Sequence, residues 1–121
     1  MPSGNEIAQA ALDREEAISC KQLHDMLERD ESGFLLLDVR TEHEWEAGHI
    51  PDAVHIPRGL LEFKVEERIP DKDTRVILCC AGGARSALAA ERMREMGYTN
   101  VAYVADGYEG YCDRFKSTDA C

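Results

Sequence analysis

The sequence predicts an α/β fold, with a central parallel β-sheet of about five strands and helices on both faces. Three observations lead there. Short apolar, β-branched runs alternate with segments of helix-forming residues, and such alternation implies parallel strands joined by crossover helices. The run Arg75-Val76-Ile77-Leu78-Cys79 reads as a buried strand that passes through a glycine-rich loop into the helix formers Ser86 to Met96, which stop at Gly97. At 121 residues the chain is long enough for one hydrophobic core and too short for two.

The elements follow in order. Met1 to Gly4 is expected to be disordered. Asn5 to Ala17, rich in Ala and Glu, reads as a weakly amphipathic helix, so that residues 1–16 form a partly helical N-terminal extension. Ser19 followed by Gln22 fits a capping box, opening a helix to about Arg29 with Leu23, Met26 and Leu27 on its inner face. Phe34 to Val39 is a strand. Thr41 and Glu44 make a second capping box for a short helix ending at Gly48, and Ala53 to Ile56 is a short strand closed by Pro57. Leu60 to Arg68 is helical with Leu61, Val65 and Ile69 directed inward, and Pro70-Asp71-Lys72-Asp73 is a turn. Beyond Gly97, Val101 to Val104 is the last main strand and Tyr108 to Phe115 a closing helix. Residues 116–121 form a C-terminal tail.

Composition removes several function classes. The formal net charge of −10 argues against nucleic acid and anionic membrane surfaces as partners. No apolar run approaches the roughly 18 to 20 residues of a membrane span, and no basic region followed by an apolar stretch opens the chain; a cytoplasmic location is expected. The five cysteines, Cys20, Cys79, Cys80, Cys112 and Cys121, are odd in number, include an adjacent pair and lack paired C-x-x-C spacing, which does not read as a secreted disulfide framework. His24, His43, His49 and His55 show no helical i, i+4 pair, so neither a metal site nor a cofactor is expected.

The most informative stretch is Cys80-Ala81-Gly82-Gly83-Ala84-Arg85, followed at once by Ser86. It places a thiol and a glycine-rich loop at a helix N-terminus, where unpaired backbone N–H groups favour an anionic group. A cysteine ending a buried strand is commonly just a small apolar core residue. Gly82 and Gly83 argue for more, since two such residues in a short loop suit positive φ or close approach of a ligand. Arg85 offers a fork of donors for an oxyanion, although it also suits a solvated helix charge.

These residues resemble the C-x-x-G-x-R-S active-site loop of the rhodanese, or thiosulfate sulfurtransferase, family through Cys80, Gly83, Arg85 and Ser86. Separate stretches strengthen the likeness: Leu36-Leu37-Asp38-Val39-Arg40, then Glu42 to Ala53, then Ile56-Pro57, and late in the chain Gly107-Tyr108. The resemblance covers residues 17 to 115 and implies a single rhodanese-like domain there. Asp52 stands where the family more often has glycine, Trp45 where it mostly has another aromatic, and Asp106-Gly107 replaces a glycine pair; none of these touches the reactive loop.

The resemblance implies a two-step sulfur transfer without a cofactor. The Cys80 thiolate attacks the outer sulfur of a small-molecule donor, thiosulfate or a persulfide, and a thiol or cyanide acceptor then removes the sulfur from the Cys80 persulfide. Loop N–H groups from Ala81 to Ser86 stabilise the anion. Arg85 orients the donor's oxyanion, helped by Arg40 and Arg58, or else pins the loop to a carboxylate. Asp38 and Arg40 support the loop rather than react, and Glu44 and Trp45 serve as cap and core. Two rival readings stand beside this one. Rhodanese-like modules also act as persulfide carriers or regulatory binding domains without turnover. Counting from Cys79 to Arg85 instead gives C-x5-R, the loop length of phosphatases and arsenate reductases; adjacent strand residues point to opposite faces, however, so Cys79 and Cys80 cannot both face one cradle. Cys112, in the closing helix, is either inert packing or a thiol able to resolve a Cys80 persulfide, and Cys121 is expected to be exposed.

Overall fold

Successive strand residues point to opposite faces, and in this chain that alternation sorts the apolar side chains into two cores. A computed structural model describes residues 1–29 and 33–115; the C-terminal tail, with Cys121, lies outside the described residues. In chain order the elements are α1 (Gly4–Arg14), β1 (Ala17–Ile18), α2 (Cys20–Glu28), β2 (Leu35–Asp38), α3 (Glu42–Ala47) and β3 (Val54–His55). A 3-10 turn at Arg58–Leu60 then leads into α4 (Leu61–Arg68), followed by β4 (Val76–Cys79), α5 (Ala84–Glu95), β5 (Val101–Val104) and α6 (Gly107–Arg114).

The five strands form one parallel sheet in the order β1-β5-β4-β2-β3. β4 is central, pairing from Leu35↔Val76 to Asp38↔Cys79 on one side and from Val76↔Val101 to Leu78↔Tyr103 on the other. Val76, Leu78 and Cys80 enter one core, with Leu61 and Val65 of α4 and Ala87 and Met93 of α5. Ile77 and Cys79 enter the opposite core, with Leu23 of α2 and Tyr111 of α6. Tyr98 is buried beside the first core, and its hydroxyl donates to the Ile69 carbonyl at 2.5 Å.

Both capping boxes form, Ser19 with Gln22 and Thr41 with Glu44, and Leu61, Val65 and Ile69 are buried as predicted. The N-terminal segment departs from expectation in two ways. Ser3 accepts from the Glu6 N–H while Glu6 reaches back to the Ser3 N–H, so a third capping box organises the residues expected to be disordered. Gly4 and Asn5, poor helix formers, hid that signature. The helix also ends at Arg14, and Ala17 and Ile18 form a fifth strand opposite Tyr103 and Val104. A two-residue edge strand is too short to show a period.

Asp52 has φ +70°, a left-handed backbone that favours glycine and that aspartate tolerates better than most residues. Trp45 lies half-buried, stacked on His49 at 3.5 Å and on His55 at 4.7 Å between ring centroids, and so holds α3 against β3. Among the described residues no helix is long and apolar enough to cross a membrane.

Candidate active site

Parallel α/β sheets place their ligand sites at the carboxyl ends of the strands, and the loop from Cys80 to Gly83 leaves β4 at that end. Its first two carbonyls turn toward α6. The Tyr108 N–H donates to the Cys80 carbonyl at 2.7 Å and the Glu109 N–H to the Ala81 carbonyl at 3.1 Å, so the first turn of α6 holds the front of the loop. Gly107 allows this approach. It has φ +63°, and a Cβ there would run into the Ala81 and Cys80 carbonyls.

The loop's second half directs donors inward. The Gly83 N–H lies 3.0 Å from Cys80 Sγ and the Ser86 N–H 3.3 Å from it, while the Cys80 thiol donates to Ser86 Oγ at 3.5 Å. The Ser86 hydroxyl in turn donates to the Gly83 carbonyl at 2.8 Å. α5 begins at Ala84, two residues before the predicted start, with Gly83 as an N-cap that has no side chain to offer. The Cys80 sulfur takes the place of the missing cap, accepting from the third residue of the helix as a capping oxygen would.

The two adjacent loop glycines differ in the structure. Gly83 has φ +124°, and a Cβ on it would stand 2.7 Å from the Ala105 carbonyl oxygen, whereas at Gly82 a Cβ would meet nothing within 4 Å. The two cysteines differ as well. Cys79 faces the opposite core, where burial first, and the nearby Asp38 charge next, push its thiol well above the ordinary range.

The charged residues named from the sequence are all held by partners. Arg85 makes a bidentate pair with Glu44, at 2.7 and 3.0 Å. Those bonds, with further ones from Thr41, hold the Glu44 carboxyl down to about 2 against the cost of burial. Arg40 and Asp38 form a buried pair, Nε and Nη2 reaching the carboxylate at 2.8 to 3.1 Å. Arg40 also donates to the Gly48 carbonyl at 2.8 Å and lies over the Tyr108 ring at 4.0 Å. It therefore ties β2, the end of α3 and the start of α6 together behind the loop. Arg58 pairs with Glu62 at 3.0 Å. Of the two roles expected for Arg85, the structure places it on a carboxylate, and Glu44, expected only as a cap, is that carboxylate.

A recess of about 310 Å³ borders the loop, lined by Ala81, Tyr108, Glu109, His43, Glu44 and Arg40 among others. Among the described residues no three His, Cys, Asp or Glu side chains converge to hold a metal ion.

Residues 19–114 match the model of the rhodanese-like domain. The chain belongs to that family. A tRNA uridine(34) hydroxylase of Erwinia tasmaniensis is 33% identical over 103 residues, covering 82% of this chain and 29% of the relative. The adenylyltransferase and sulfurtransferase UBA4 of Saccharomyces cerevisiae is 32% identical over 115 residues, covering 86% of this chain and 26% of the relative. The chain thus spans less than a third of the length of either curated relative. Among solved structures, a protein of unknown function from Rhodopseudomonas palustris, described as a possible tyrosine phosphatase, superposes with TM-score 0.84 at 27% identity over 94% of this chain and 96% of its own. A thiosulfate sulfurtransferase from Pseudomonas aeruginosa superposes with TM-score 0.76 at 26% identity, covering 88% of this chain and 21% of that one. As a rhodanese-like domain, the chain has sulfur-related chemistry as its expected province, with helices on both faces of a five-stranded parallel sheet as predicted.

Proposed function

We propose that this rhodanese-like domain is a sulfurtransferase that carries sulfane sulfur on Cys80 as a persulfide. The observation that carries the reading is the pair of backbone donors, Gly83 N–H and Ser86 N–H, aimed at Cys80 Sγ from the head of α5. Preorganised N–H groups suit a sulfur that bears negative charge before attack and again as the persulfide anion, and they need no reorganisation during the reaction. In the first step the Cys80 thiolate forms a bond to the donor's outer sulfur. The bond behind that sulfur breaks, and its electron pair leaves with sulfite from thiosulfate, or with a thiolate from a persulfide. In the second step a thiolate or cyanide takes the outer sulfur and returns Cys80 to thiolate. The sulfurtransferase in the name of UBA4 and the likeness to the Pseudomonas enzyme support this class of reaction.

The same first step serves a carrier that hands sulfur on without small-molecule turnover. The phosphatase reading is disfavoured because it needs Cys79 as nucleophile, and that thiol faces the opposite core. The test incubates reduced protein with thiosulfate or a persulfide and maps the modified residue by intact mass and peptide sequencing. Gain of one sulfur atom, abolished by Cys80→Ser and retained in Cys79→Ser, is the expected result. Phosphate-ester hydrolysis abolished by Cys79→Ser would instead overturn the sulfur-transfer reading.

A further inference from the structure

The loop carries one arginine, and its guanidinium is occupied. Both terminal nitrogens of Arg85 bond the two oxygens of Glu44, and Glu44 lines the recess that borders the Cys80 loop at Ala81. Arg40, the arginine that lines the recess itself, spends its fork on Asp38 and the Gly48 carbonyl. On the far flank of the loop Arg114 sits among Asp106, Glu109 and Asp113, beside Gly82. The chain as a whole carries −10. A donor that brings two negative charges, as thiosulfate does, meets an entrance where Arg85 and Arg40 are both already paired with carboxylates and where the net charge of the chain is repulsive.

We propose that Glu44, by holding Arg85 in its bidentate pair, sets donor specificity at Cys80: it disfavours the sulfonate-bearing dianion and favours sulfur presented as the persulfide of an uncharged thiol. This rests on the sulfurtransferase reading of Cys80. With a persulfide R–S–SH the thiolate of Cys80 bonds the outer sulfur, the S–S bond behind it breaks, and its electron pair leaves on R–S⁻ while the proton stays on the transferred sulfur. No step of that transfer develops an oxyanion for Arg85 to hold. With thiosulfate the departing group is sulfite, whose oxygens are the natural ligands of a free guanidinium. Glu44 therefore acts as a positioning residue, through Arg85 and not on the reacting atoms.

Glu44→Gln separates this role from the capping role, because glutamine at the third helical position still completes the capping box with Thr41. The measurement is the rate of sulfur gain on Cys80 from thiosulfate and from the persulfide of 2-mercaptoethanol, in wild type, Glu44→Gln and the double variant Glu44→Gln/Arg85→Gln, each checked for folding by thermal melt. A freed Arg85 gains a charge-assisted bond to the donor's oxygens, so the ratio of thiosulfate to persulfide rates should rise roughly tenfold in Glu44→Gln. The rise in the ratio should come from a lower KM for thiosulfate and vanish in the double variant. A ratio unchanged in Glu44→Gln, or a gain that survives removal of Arg85, overturns the proposal and leaves sulfur transfer intact. Wild type that is folded yet gains sulfur from neither donor overturns the sulfurtransferase reading and the proposal together. Wild type also serves without any variant: its thiosulfate rate should climb with added salt while its persulfide rate does not, and the reverse pattern counts against the proposal.

Discussion

Cys79 and Cys80 carry the same side chain on consecutive residues, and only the face of the sheet separates them. The strand's two-residue period gives Cys80 the donors of α5 and gives Cys79 an apolar core. That distinction was readable in the sequence, since it needs nothing beyond a strand ending in two cysteines. The resemblance singles out Gly83 over Gly82, but the reason was not legible, because it depends on the Ala105 carbonyl, which follows β5. It makes a sharp prediction. Gly83→Ala forces a side chain into a glycine-only conformation and against that carbonyl, and should cost about 1–3 kcal/mol in urea denaturation, with slower sulfur gain at Cys80 because the Gly83 N–H is displaced. Gly82→Ala meets open space and should stay within about 0.5 kcal/mol of wild type. Equal destabilisation by the two would contradict the geometry described for the loop.

At the scale of elements, three of them frame the loop: α6 bonds its carbonyls through its first N–H groups, α3 holds Arg85 at the head of α5 through Glu44, and β2 anchors, through Asp38, the Arg40 that packs on Tyr108. The α3 link has a measurable pH dependence. The Glu44 carboxyl sits at about 2 in the fold against an ordinary value of 4.5, so its ionisation stabilises the folded state fully above about 4.5 and loses that effect as pH falls toward about 2. With side chains 31% and 37% exposed, the Glu44–Arg85 pair is screened, and wild type should exceed Glu44→Gln by about 1 kcal/mol at neutral pH. The gap should narrow as pH falls below about 4.5 and close toward about 2 in urea midpoints; a gap independent of pH would show that charge is not its source. Capping boxes were legible because both partners lie within one turn. The second task of Glu44 was not, since its partner is 41 residues away in sequence. The early start of α5 escaped for a related reason: its cap is the Cys80 sulfur, which no local capping rule includes.

Across the whole molecule the N-terminal helix and the site share one face of the sheet, at opposite ends of α5. α1 lies outside the stretch matched to the family, yet Ala11 is fully buried in the first core, and the Tyr103 hydroxyl on β5 donates to the Leu12 carbonyl at 2.7 Å. Arg14 pairs with Glu91, and Glu15 with Arg94 at 2.9 Å, so the end of α1 is fastened to the C-terminal half of α5. α5 is 12 residues long and thus about 18 Å, with the Cys80 cradle at its other end. Docking of α1 therefore stabilises the helix that presents Ser86 without touching the sulfur. Ala11→Arg, which leaves no room for its side chain between α1 and the core, should cost at least about 1–3 kcal/mol and lower the melting temperature. Below that temperature the rate of sulfur gain at Cys80 should remain within twofold of wild type, while amide hydrogen exchange in α1 rises by well over tenfold, on the same energy scale. Loss of transfer in parallel with α1 protection, in protein whose sheet amides stay protected, would mean that α1 reaches the cradle through α5 and that the helix transmits its docking along its full length.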